Sequence, residues 1–140
     1  MAIQFNSHRT RFKLTNPKKT STWIEKVVKA EKSEIGSLSY VFCSDTYLLR
    51  INQQYLNHDT LTDIITFDYA GKGSKSIEGE IYISVERVRE NAKKLKVDFD
   101  TELHRVIVHG VLHLVGYKDK GVKEKGEMRK REDKYLKLRG

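Results

Sequence analysis

Asp63-Ile64-Ile65-Thr66-Phe67-Asp68, then Gly71-Lys72-Gly73-Ser74-Lys75-Ser76, then Glu80-Ile81-Tyr82-Ile83: two β-branched and aromatic runs flank a glycine–serine loop. Such runs read as strands, and the loop between them makes a hairpin. Upstream, Ser37-Leu38-Ser39-Tyr40-Val41-Phe42-Cys43 follows Gly36 and predicts a third strand, and Ile3-Gln4-Phe5 offers a fourth. Helical patterns surround these strands. Asn16-Pro17 reads as an N-cap followed by proline at the first helical position, where the missing N–H costs nothing. Trp23, Ile24, Val27 and Val28 then form an apolar stripe, predicting a helix over 17–32. Ser44 caps a helix over 45–57, and Ser84 caps one that carries Val85, Val88, Ala92 and Leu95. Asp100 starts another helix, with Leu103, Val106, Ile107, Gly110 and Leu114 on one broad face. A charged helix over 121–138 holds Met128, Tyr135 and Leu138. Strands and helices without strict alternation predict an α/β (α+β) layer fold. It has a small mixed sheet of about four strands, five or so helices, and one domain over 1–140.

The 140 residues are enough to bury a core of roughly 68–70% of the unfolded surface without disulfide staples. The single cysteine, Cys43, lies in an apolar alternating stretch and reads as a buried, inert thiol, which fits a reducing compartment. The first residues carry no apolar run of signal-peptide length, and no stretch approaches a membrane span, so the chain is expected to be cytoplasmic. Lysine and arginine number 27 against 19 acidic residues, a net charge of +8. That excess favours a polyanionic partner such as nucleic acid, since bound cationic side chains release counterions from phosphates.

Of five histidines, His109 and His113 lie four apart in a predicted helix. Both rings therefore leave the same face one turn apart, a spacing at which two imidazoles can share one ion. Leu114-Val115-Gly116 follows, and glycine is the residue that ends a helix in a left-handed cap. The chain then doubles back, and Asp119 is placed to bring a carboxylate as third ligand. His-x-x-x-His-x-x-Gly-x-x-Asp is thus a helix, a stop and a returning ligand, the spacing that metzincin proteases use with a third histidine. Two imidazoles and one carboxylate leave a position open for water, which marks a catalytic rather than a closed structural site. Zn²⁺ suits the set, one ion per chain, and Ni²⁺, Co²⁺ or Fe²⁺ are also acceptable. A zinc peptidase needs a glutamate directly after the first histidine, and Gly110 stands there instead.

His109-Gly110-Val111-Leu112-His113-Leu114-Val115-Gly116-Tyr117 closely resembles the signature of the YbeY family of bacterial rRNA maturation endoribonucleases. Ile51-Asn52-Gln53-Gln54-Tyr55 with Thr62-Asp63-Ile64-Ile65-Thr66-Phe67, and Gly79-Glu80-Ile81-Tyr82-Ile83-Ser84, are similar to two further blocks of that family, in the same order. The resemblance spans about residues 35–120. It implies an α/β fold with a small mixed sheet, a zinc ion and cleavage of single-stranded RNA. It further implies maturation of the 3′ end of small-subunit rRNA and ribosome quality control, with rRNA and the small ribosomal subunit as partners. Three positions depart from the family pattern. Its third histidine aligns with Asp119, which should make a bound ion a weaker Lewis acid, and its preceding aspartate aligns with Lys118. Its basic residue after the tyrosine is Leu56 here.

If the family's arginine contacts the scissile phosphate, this chain must use another cation or lack the step, with Arg105 and Lys118 as candidate phosphate contacts and Arg50 and Lys120 as candidate RNA-binding residues. His58, near the missing arginine, reads as an exposed loop histidine. Asn52, Thr62 and Asp63 match family positions, though Asp63 can equally start its strand. Tyr117 has packing and site-lining as equal readings. Lys123, Lys125, Arg129, Lys130 and Arg131 read first as a solvated helix face. The expected mechanism is metal-assisted phosphodiester hydrolysis by metal-bound water. The alternatives are a non-catalytic, metal-stabilised ribosome assembly factor and, against Gly110, a peptidase.

Overall fold

The computed structural model describes residues 3–56, 62–70 and 74–139. In chain order the elements are β1 (Ile3–His8), α1 (Pro17–Ala30), β2 (Glu34–Cys43), α2 (Asp45–Leu56), β3 (Ile64–Asp68), β4 (Ser76–Ser84), α3 (Val85–Leu95), α4 (Phe99–Val115) and α5 (Val122–Arg139). The strands form one sheet in the order β1-β2-β4-β3. β1 and β4 both run parallel to β2, while β3 pairs antiparallel with β4 in the expected hairpin. The fold is α/β with a mixed sheet, as the patterning predicts.

Period-two alternation divides the strands between two apolar clusters. Leu38, Tyr40 and Phe42 of β2 and Ile77, Ile81 and Ile83 of β4 pack with Trp23, Ile24, Val27 and Val28 of α1 and with the apolar face of α4. Cys43, Ile65 and their neighbour Tyr82 turn to the other face, where α2 supplies Leu48 and Ile51. Burial pushes the Cys43 thiol up to about 12, with Asp45 and Glu86 adding to the shift, so it is the inert thiol expected.

Helix ends follow local chemistry, with three corrections at α1 and α4. Ser84 Oγ accepts from Arg87 N and caps α3, and Ser44 Oγ accepts from Tyr47 N at the start of α2. Asn16 does not cap α1 with its side chain. It sits in the left-handed region at φ 53°, which asparagine tolerates, and contributes only its carbonyl, accepting from Thr20 N. α1 also stops at Ala30, two residues short of the expected end, because Lys32 turns to φ 60°. α4 begins one residue earlier than expected, leaving Asp100 in the first turn where its charge meets the helix dipole.

α4 lies close across β3 and β4 because two glycines permit it. A Cβ on Gly110 would come within 2.9 Å of Ile81 and 3.1 Å of Ile64. One on Gly79 would stand 2.5 Å from the Phe67 carbonyl and 3.0 Å from Leu114. This packing sets the last turns of α4 beside the edge strand β3, and α5 folds back along α4 to close the other side.

Candidate metal centre

His109 and His113 occupy successive turns at the C-terminal end of α4. The helix ends at Gly116 with φ 117°, a conformation few side-chain-bearing residues adopt. Gly116 N donates to the His113 carbonyl and Tyr117 N to that of Leu112, the paired bonds of a Schellman turn. The turn brings Asp119 back over the two rings. His109 Nε2 and His113 Nε2 lie 2.9 Å apart, and Asp119 Oδ2 is 3.3 Å from the first and 3.5 Å from the second. The three residues expected as ligands are therefore together, each partly buried.

The outer nitrogens settle the tautomers. His109 Nδ1–H donates to Glu132 Oε2 at 2.6 Å, and His113 Nδ1–H donates to the Tyr117 carbonyl at 3.0 Å. With those protons committed outward, both Nε2 lone pairs point inward at one another and at a carboxylate oxygen. That arrangement is repulsive unless a cation or a proton lies between them. A tetrahedral ion with bonds of about 2.0–2.1 Å sets its donors ~3.3 Å apart, close to the three separations seen, so the residues fit a divalent ion. Burial works against charge on His109, but the hydrogen bond and charge of Glu132, with Asp119 and Asp63 beyond, outweigh it and raise its pKa. Burial, with His109 next to it, lowers that of His113. The opposed shifts suit a single positive charge held between the rings.

A cavity of about 860 Å³ opens at this cluster, lined by the end of α2, by β3, by α4 and by α5. Asn52, Thr62 and Asp63 all line it. Burial raises the pKa of Asp63, against a smaller lowering by His109. Arg105 also lines the cavity, but its guanidinium lies 3.1 Å from Asp133, 3.3 Å from Glu132 and 3.5 Å from Glu102. Arg50, Lys118 and Lys120 are exposed and stand outside the described lining, and His58 lies outside the described residues. Tyr117 holds the site by its carbonyl, while its phenol donates to Glu31.

Sequence reasoning missed Glu132. Its signal was an acid standing in the buried stripe Met128, Glu132, Tyr135 of an otherwise exposed helix, since a carboxylate is rarely buried without a partner.

Fold and cluster together define an α/β protein with a His–His–carboxylate donor set at the mouth of a cavity. A profile of the family described as Endoribonuclease YbeY matches residues 3–140. A protein of Amoebophilus asiaticus named Endoribonuclease YbeY is 52% identical over 126 residues, covering 90% of this chain and 85% of its own. One of the same name from Flavobacterium psychrophilum is 51% identical over 136 residues, covering 97% and 95%. A solution structure from Thermotoga maritima aligns with a TM-score of 0.68 at 28% identity, over 98% of this chain and 88% of that one. The chain belongs to the YbeY family.

Proposed function

We propose that this chain is a metal-dependent endoribonuclease acting on single-stranded RNA. The reading extends to maturation of the 3′ end of small-subunit rRNA and ribosome quality control. Ribosomal RNA and the small subunit are then its partners, the cytoplasm its setting and Zn²⁺ its ion. The observation that carries the reading is the inward-facing His109–His113–Asp119 donor set opening on a cavity of substrate size. The name shared by its relatives and the net charge of +8 support RNA as substrate.

His109, His113 and Asp119 would hold the ion. When bound, a divalent ion lowers the pKa of water and neutralises charge developing on phosphate. Glu132 and the Tyr117 carbonyl keep both imidazole Nε2 atoms aimed inward, the orientation in which they would ligate. Asp63 lines the same cavity, where burial raises its pKa, and is the acid placed to protonate the departing alkoxide. Gly110 supplies no base and serves packing instead, which disfavours a peptidase.

Leu56 and the ion-paired Arg105 favour one second reading, in which the ion only stiffens a binding surface on an assembly factor. Purified protein, its metal content measured, is incubated with single-stranded RNA alongside His113→Ala. Cleavage that disappears with the metal is expected. Equal cleavage by a metal-free variant would refute the catalytic role of the ion, and binding without cuts would select the assembly factor.

A further inference from the structure

Given that reading, the substrate is a polyanion, yet the cavity wall carries Asp63, Asp68, Glu102, Asp119 and Glu132. Phosphates can enter only where cations answer these carboxylates. Three basic side chains are among the described lining: Arg105, Lys125 and Arg129. Arg105 is already held by acids on three sides and sits half-sunk in the wall. Leu56, at the α2 end of the same cavity, brings no charge. Lys125 and Arg129 are exposed and form no ion pair within 4 Å among the described residues, although the Arg129 charge reaches Glu102.

Their placement on α5 is regular. Lys125, Met128, Arg129 and Glu132 all line the cavity and recur at helical spacing, so they form one stripe down the inner face of α5. Glu132 touches His109 at the site end of that stripe. Arg129 follows about one turn away and Lys125 about two, which at 1.5 Å per residue places the cations ~5 and ~10 Å along the helix from Glu132. They stand in line with the metal centre, one turn apart.

We infer that Lys125 and Arg129 form the phosphate-binding track of this enzyme, holding the backbone of a single strand along α5 as it enters the metal centre. Their role is to bind and position rather than to react. Each adds a salt-sensitive contact, because neutralising a phosphate releases its counterion. Among the described residues, no other lysine or arginine except Arg105 lines the cavity.

The test compares the full-length wild type, the double variant K125Q/R129Q and the control K18Q/K26Q. The control removes the same two charges from exposed positions on α1 outside the cavity. Binding of a fluorescent 2′-O-methyl single-stranded oligonucleotide is measured across a salt series, with cleavage of unmodified RNA and bound metal read in parallel. Glutamine is a good helix former, so α5 is retained. At about 0.7 per phosphate contact, the log–log salt slope should fall by ~1.4 in K125Q/R129Q and stay unchanged in the control, with metal content equal in all three. A wild type that binds and cleaves, while K125Q/R129Q keeps its slope or the control loses as much, overturns the track and leaves the nuclease reading intact. A wild type that neither binds nor cleaves overturns both.

Discussion

The Glu132 carboxylate stands 2.6 Å from His109 Nδ1 and is nearly fully buried, so its charge is offset by His109 and Arg105 rather than by water. It does two things at once: it fixes which ring nitrogen of His109 faces His113 and Asp119, and it makes that ring more basic. Glu132→Gln keeps the shape and removes the charge, leaving the amide with a weaker hold on Nδ1–H. Affinity for zinc should fall about 10–100-fold, read by competition with a chelating dye, which is the usual effect of losing the partner behind a ligating histidine. Unchanged affinity would reduce Glu132 to a packing residue.

Among the elements, β3 depends closely on its neighbours. It is short and at the edge of the sheet, held by β4 on one side and by α4 above. Gly79 allows both contacts, since a methyl there would meet the Phe67 carbonyl at 2.5 Å and Leu114 at 3.0 Å. Backbone cannot rotate away as a side chain can. The gain of about 0.5–1 kcal/mol that alanine normally brings over glycine is therefore outweighed by overpacking of about 1–3 kcal/mol. Gly79→Ala should lower the midpoint of denaturant unfolding, with net destabilisation of about 1–2 kcal/mol. A variant as stable as wild type would mean that β3 yields freely, and that the cavity wall it forms is soft.

For the molecule as a whole, His104 couples stability to pH. It is buried beside Trp23, with Nδ1–H donating to the Asp100 carbonyl. Burial lowers its pKa below the ordinary 6.5, only partly opposed by Asp100 and reinforced by Arg139 and Lys19. The unfolded chain then binds a proton that the folded chain refuses, so this contribution is complete above about pH 6.5 and declines as pH falls toward the depressed value. His104→Phe cannot take that proton in either state. Wild type should lose stability relative to the variant on acidification from pH 7 to 5, measured by urea unfolding. A difference independent of pH would show that His104 titrates alike folded and unfolded.

Much of this was legible in one dimension. Alternation in β3 and β4, the Val–Val and Trp–Ile stripe of α1, and Ser84 before α3 are local signals, and local backbone physics decides them. The same holds for His109, His113 and Gly116, because helical spacing and a glycine stop lie within a few residues of each other. Asn16 misled, since the same residue suits both a side-chain cap and a left-handed turn.

Local order along the chain is enough for the element types, the two imidazoles on one helix face and the returning carboxylate. Long-range packing was needed for Glu132, 23 residues beyond His109, to lock its ring, for Arg105 to be consumed by acids, and for Lys125 and Arg129 to face the cavity. The reason is physical: spacing along a helix settles which side chains share a face. What that face meets is set by how α5 folds back on α4, through contacts between residues that no local rule connects.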